Sequence, residues 1–157
     1  MMLRNLLKSL LHNIGVIIVG LIIVFLGTKL DFLFGISNFR SPLATSAGLL
    51  SLTVGFLLRV WATFHFYQHK MKVISLAPQN KLITSGPYRF SRNPLYLGGN
   101  VFIFFGATLL FGSPSGIFIT AITFFLTDFM IRKEEKQLER KFGKKWLSYK
   151  KQVRRWL

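Results

Sequence analysis

A chain of 157 residues has room for one domain. Its residues are 51% hydrophobic, Phe occurs 17 times, mean hydropathy is +0.43 and the net charge is +16. A small soluble domain could not hide that much apolar surface, so apolar runs beside clustered Lys and Arg read as an integral membrane protein with basic cytoplasmic faces. With no cysteine, a disulfide frame, a Cys-ligated zinc and a thiol nucleophile are excluded.

Residues Met1–Asn13 set Arg4, Lys8 and His12 among leucines and are expected to form a short interfacial helix leading into the bilayer. The run Ile14–Leu30 has no charge until Lys29. It is followed by Lys29, Leu30 and Asp31 rather than a small-residue cleavage site, so it reads as a retained first span and not a signal peptide. Crossing ~30 Å of hydrocarbon takes about 20 residues, so this span borrows a few from Leu10–Asn13. A short loop, Asp31–Pro42, follows. The second span is predicted over Leu43–Phe66, where Ala44, Ser46, Ala47 and Gly48 suit close helix packing before Arg59, Trp61 and His65 appear. The third span is predicted over Leu95–Phe111. An uncharged turn, Gly112–Gly116, joins it to the fourth, predicted over Ile117–Ile131.

Lys and Arg are distributed unevenly. Arg4 and Lys8 precede the first span, five lie between spans two and three (Lys70, Lys72, Lys81, Arg89, Arg92) and eleven follow the fourth; Lys29 and Arg40 alone fall on the other side. The positive-inside rule then puts both termini and the central loop in the cytoplasm, in a cell inner or plasma membrane. In the tail Arg132–Leu157, the residues Leu138, Phe142, Trp146, Tyr149 and Val153 recur at steps of three and four, which predicts an amphipathic helix. Such a helix would lie on anionic lipid headgroups, each cation contributing about 1 kcal/mol. Nucleic acid is a poorer partner than membrane lipid, because the basic residues hug predicted membrane ends and no nucleic-acid motif is present.

The polar punctuation is densest in Leu82–Gly99. Gly86-Pro87 and Asn93-Pro94 are turn signals, and each Pro disfavours helix in the residue before it. Irregular backbone at the mouth of a membrane bundle is tolerated where it is buried in protein or lines a cavity, and its N–H and C=O groups can hold a polar ligand. Tyr88, Arg89, Arg92, Asn93 and Tyr96 supply stacking faces, fixed cations and an amide; the plain alternative is a basic connecting loop. Among the five acids, Glu134-Glu135 stands out. Adjacent helical carboxylates point about 100° apart. One is expected to take a cation or hydroxyls while the other pairs with Arg132, Lys133 or Lys136, unless both merely balance charge at a helix end. Arg59 lies within a span, where a cation costs about 2.5–3.5 kcal/mol near the centre. It is expected to face the bundle, with Asp128 the nearest acid by depth, or to snorkel. His65 and His69 share a helix face but lack a third ligand, so polar packing is favoured over metal binding. Gly98-Gly99 is weak as a nucleotide signal, and no Ser-His-Asp set is apparent.

Several of these elements together resemble the isoprenylcysteine carboxyl methyltransferase family, whose wider group includes phospholipid N-methyltransferases. They are Leu82–Arg89, Arg92–Gly98, Glu134-Glu135 with Leu138, and Phe142-Gly143 with Tyr149 and Val153; Arg59–Ala62 is also family-like. The resemblance covers Gln79 to the C-terminus. It implies a small integral membrane enzyme that transfers a methyl group from S-adenosylmethionine to an amphiphilic acceptor. It implies that the cofactor is held by Asn80, Lys81, Leu82 and Ile83, by Tyr88, by Asn93, Pro94, Leu95 and Tyr96, and by Glu134. Two departures stand out. Asn93 replaces the family's His, so that position cannot titrate. Met130 stands where the eukaryotic carboxyl methyltransferases have a substrate-contacting Arg, leaving Arg132 and Arg59 as candidate substitutes in a catalytic role.

The sequence therefore reads as an all-α integral membrane protein with about four transmembrane helices, a cytoplasmic loop and an amphipathic C-terminal helix. It forms one methyltransferase-like domain, with the cofactor half at about 79–157. The expected activity is S-adenosylmethionine-dependent methyl transfer to an amphiphilic or lipid-like acceptor, with no metal. A nicotinamide-dependent reductase of the sterol reductase type and a non-enzymatic lipid-binding scaffold are the rivals.

Overall fold

Ser41 and Ser113 each open a long helix in the same way. A seryl oxygen accepts from a backbone N–H three residues on (Ala44 N at 3.1 Å, Gly116 N at 3.0 Å), and a proline fills the first helical position. The computed structural model describes residues 2–71, 73 and 81–157. Four of its helices are long and apolar enough to cross a membrane: α1, Met2–Leu33; α2, Pro42–Gln68; α3, Pro94–Phe111; and α4, Pro114–Phe142. A short fifth helix, α5, Lys144–Gln152, follows the break at Gly143, whose φ is +51°. No strand occurs among the described residues. The all-α membrane architecture is as expected.

Two boundaries differ from the sequence reading. The first helix is continuous from Met2, with no separate interfacial segment over residues 2–13. No Gly, Pro or cap interrupts that stretch, and its polar ridge of Asn5, Ser9 and Asn13 is buried against α2 instead of meeting headgroups. The fourth helix runs past Ile131 to Phe142, so the tail is two helices meeting at Gly143.

The bundle buries polar side chains beside its apolar core and turns large apolar side chains outward. Ser9, Asn13 and Thr63 are fully buried, whereas Phe118, Phe125 and Leu126 are exposed on the outer surface of α4. That inversion suits a lipid solvent, where apolar side chains gain nothing by hiding and polar ones must satisfy each other. Helices α2 and α3 approach almost backbone to backbone. A Cβ at Gly48 would lie 2.7 Å from the Gly106 carbonyl, and one at Gly55 would lie 2.7 Å from the Gly98 carbonyl. Of the small residues predicted for this packing, Gly48 serves it, while Ser46 and Ala47 are exposed.

At one end of the bundle Asp31, predicted in a loop, occupies the last turn of α1 and caps α4: it accepts from Ser113 Oγ and from Ser115 N at 2.9 Å. A carboxylate there also meets the positive end of the α4 dipole. At the opposite end gather the start of α1, the end of α2, the start of α3 and the tail, with Asn5 Nδ2 donating to the Tyr67 carbonyl.

Candidate functional site

The site is built where the central loop meets the end of the bundle. Gly86 turns the chain with φ +60°, and a side chain there would press on the His65 ring 3.1–3.2 Å away. His65 in turn shares a 2.9 Å hydrogen bond with Ser85 Oγ. The turn drives Tyr88 inward. Its ring packs 5.4 Å from Phe66, and it shares a buried apolar cluster with Ala62, Met71 and Ile83. Burial pushes the Tyr88 hydroxyl well above its ordinary pKa, so it stays a neutral donor. Among the described residues that hydroxyl has no hydrogen-bond partner.

Arg59 meets the loop from α2. It is 6% exposed and makes no ion pair among the described residues. Its Nε donates to Asn13 Oδ1 at 2.8 Å and its Nη1 to the Leu95 carbonyl. Asn13 Nδ2 donates onward to Thr63 Oγ1 at 3.0 Å and to the Ser9 carbonyl at 2.8 Å. Asp128, the expected acid, is engaged elsewhere, with Arg132 at 2.8 Å and Arg155 at 3.3 Å. The cation is thus held by neutral acceptors, which is acceptable in a bundle interior provided its donors are used. The Arg59 side chain runs past Gly98 and Gly99, its stem at the first and its guanidinium at the second, just where α3 changes at Leu97 from α to π geometry. A Cβ on Gly98 would come 2.6 Å from Arg59 Cγ, and one on Gly99 2.9 Å from Nη1. These glycines make room for an arginine rather than for a nucleotide. Gly98→Ala is expected to lower stability by about 1–3 kcal/mol, the usual cost of overpacking, read as an earlier melt in detergent.

The C-terminal segment closes the other side. The backbone carbonyl of Arg154 accepts from Arg92 N at 3.0 Å, and that of Arg155 accepts from Ser91 Oγ at 3.1 Å and Asn93 Nδ2 at 3.3 Å. Tyr149, a neutral donor because burial raises its pKa, gives its proton to the Tyr88 carbonyl at 2.7 Å. Trp146, 2% exposed, lies beneath the Arg92 guanidinium. The apolar stripe of the tail therefore faces protein at Trp146 and Tyr149, not lipid. Glu135 holds the assembly together. Both its oxygens take Arg155, at 2.7 and 3.3 Å, and Oε1 lies 3.3 Å from Arg92 Nη1, an ion-pair contact without hydrogen-bond alignment. Those hydrogen bonds to Glu135 raise the pKa of Arg155 further above its already basic value. Neither partner is the Arg132, Lys133 or Lys136 expected from the sequence.

Glu134 points the other way round α4 and accepts from Tyr96 Oη at 2.9 Å. Tyr88, Tyr96 and Arg59 lie within electrostatic reach of one another. The structure thus brings together Tyr88, Leu95, Tyr96, Glu134 and Arg59. Ile83 and Pro94 are buried behind them, Leu82 is half-buried and Lys81 exposed; Asn80 lies outside the described residues. Asn93 spends one amide donor on the tail. Arg132 is not brought in: its side chain is 62% exposed and paired with Asp128, on the far side of α4 from Glu134. The His65 and His69 rings lie 4.6 Å apart at a tilt of 58°, with no third metal-ligating side chain beside them among the described residues. Sequence reasoning missed Asn13, Thr63, Ser91 and Arg155, and singled out Tyr149 without assigning it a partner. The four-residue spacing of Asn5, Ser9 and Asn13 in an apolar helix was the readable signal for the first of these.

The family model described as Phospholipid methyltransferase matches residues 43–145. That range takes in α2, the loop, α3, all of α4 and the start of α5. The chain belongs to the phospholipid methyltransferase family and is, by class, a membrane methyltransferase. No curated protein and no solved structure matches it.

Proposed function

We propose that the protein transfers a methyl group from S-adenosylmethionine to an amphiphilic or lipid-like acceptor at the cytoplasmic membrane face, with both termini on that side. The observation that carries this reading is the Tyr96–Glu134 hydrogen bond, which joins the start of α3 to α4 beside the buried Tyr88 hydroxyl, itself without a hydrogen-bond partner among the described residues. The donor set fits such a cofactor. Glu134 keeps a second oxygen for an ammonium or a ribose hydroxyl, the Tyr88 hydroxyl is a donor without an acceptor among the described residues, and tyrosine faces favour a sulfonium.

When bound, S-adenosylmethionine supplies an electrophilic methyl on a positively charged sulfur. The chain's contribution is alignment and exclusion of water. Tyr96 fixes the Glu134 carboxylate, and Arg59 fixes the Leu95 carbonyl and hence the backbone of the Asn93–Tyr96 turn. Arg59 acts as a positioning residue, since it is buried and its Nε and Nη1 are bonded to protein. A carboxylate acceptor would need no base; an amine acceptor must release a proton to water or a neighbouring base.

Calorimetric titration of the detergent-purified protein with S-adenosylhomocysteine tests this reading. Saturable binding is expected. Glu134→Gln should weaken it about tenfold to a hundredfold, as for loss of a charge-assisted hydrogen bond, and Tyr96→Phe by only a few-fold. Binding of a reduced nicotinamide cofactor in its place would move the assignment to a reductase. Silence with both ligands, in protein shown to be folded, would favour a lipid-binding scaffold.

A further inference from the structure

A cavity of about 440 Å³ opens between α4 and α5 on the face of α4 turned away from Glu134. Five cations line it (Arg132, Lys133, Lys136, Lys150 and Arg155) against two acids, Glu135 and Glu139. The acids are already engaged. Glu135 is spent on Arg155 and Arg92, and Glu139 lies 3.6 Å from Lys150. Arg155 is likewise spent, on Glu135 and Asp128. Three cations keep unused donors. Arg132 binds Asp128 through Nε alone, Lys133 lies over the Phe129 ring at 4.4 Å, and Lys136 makes no ion pair among the described residues.

The depth of this cavity is informative. Phe125, Leu126, Phe129 and Met130 form the exposed apolar surface of α4, and the basic residues begin at Arg132. From Phe129 to Lys136 the helix rises about 10 Å. The headgroup layer on each side of a bilayer is roughly 5–8 Å thick, so the cavity straddles the level of lipid phosphates. Its floor, Phe129, continues into the acyl-facing surface.

We propose that this cavity binds the phosphate of an anionic lipid headgroup, with Arg132, Lys133 and Lys136 as its donors and the acyl chains lying along Phe125 and Phe129. The site is separate from the Tyr96–Glu134 contact, and its occupancy does not depend on the methyl-transfer reading. Phosphate chemistry would also suit a soluble phosphate ester. The apolar floor favours the lipid.

Native mass spectrometry of the full chain in detergent, titrated with phosphatidylglycerol, phosphatidylcholine or inorganic phosphate, tests the proposal. Saturable binding of the anionic lipid is expected, preferred about tenfold or more over the zwitterionic one. The double variant Lys133→Gln/Lys136→Gln should lose that preference. Lys144→Gln/Lys145→Gln, which removes the same charge from tail residues outside the cavity, should keep it. Equal loss in both variants would show diffuse attraction and overturn the site, as would the absence of any preference in the unaltered chain. Binding of inorganic phosphate that is lost only in the first variant, without lipid preference, would overturn the lipid assignment.

Discussion

Arg59→Met is expected to melt well below the unaltered protein and to lose measurable binding of S-adenosylhomocysteine. An interhelical hydrogen bond in a membrane bundle contributes on average about 0.6 kcal/mol, because the unfolded chain in lipid also finds partners. Arg59 should exceed that average. Its bonds are charge-assisted, and methionine would leave Asn13 Oδ1 and the Leu95 carbonyl without their donor, at about 1–3 kcal/mol for each buried group left unpaired. The Leu95 carbonyl belongs to the turn assigned to the cofactor, so stability and binding should fall together. Arg59→Lys keeps the charge but offers one compact ammonium in place of a fork, and should fall between the two. Thermal unfolding in detergent, paired with calorimetry on each variant, reads both effects. A methionine variant that melted and bound normally would show that the network does not hold the turn.

The adjacent carboxylates should behave in opposite ways. Glu135→Ala leaves Arg92, whose side chain is 8% exposed, without its counter-charge and leaves Arg155 held by Asp128 alone. Breaking a buried ion pair from one side costs about 3–5 kcal/mol. The stretch Tyr88–Asn93 and the last residues of the chain should then part, and trypsin should cut at Arg89 and Arg92 many-fold faster than in the unaltered protein. Glu134→Ala removes a carboxylate that accepts from Tyr96 at the surface, and should leave the proteolysis rate and melting temperature nearly unchanged while abolishing ligand binding. Limited proteolysis of the two variants side by side, at equal protease, measures the contrast. Equal rates would mean that Glu135 does not anchor the loop.

The number of spans and their approximate extents were legible because hydropathy over about 20 residues is a strong signal. The turns at Gly86 and Asn93 were legible because glycine and proline restrict backbone geometry locally. Partner choice was not. Reading Arg59 by charge led to Asp128, yet the fold answers it with an asparagine side chain and a backbone carbonyl, and a carbonyl has no sequence signature. Periodicity found the tail's apolar stripe but could not say which apolar medium it meets; Trp146 and Tyr149 meet the loop. Glu135 and Glu134 were distinguishable only as pointing about 100° apart. What assigns them is Arg155, which lies past the end of α5 in a segment without helical periodicity.

The Asp31 cap bears on how the protein is made. Its two partners, Ser113 and Ser115, lie 82 and 84 residues downstream. During synthesis α1 reaches the bilayer with this carboxylate uncapped, and neither α2 nor α3 supplies a replacement in the finished fold. The bonds that close this cap can form only once residues 113 to 115 have been made, so the end of the first span is tied to the last span and not to its neighbour in sequence.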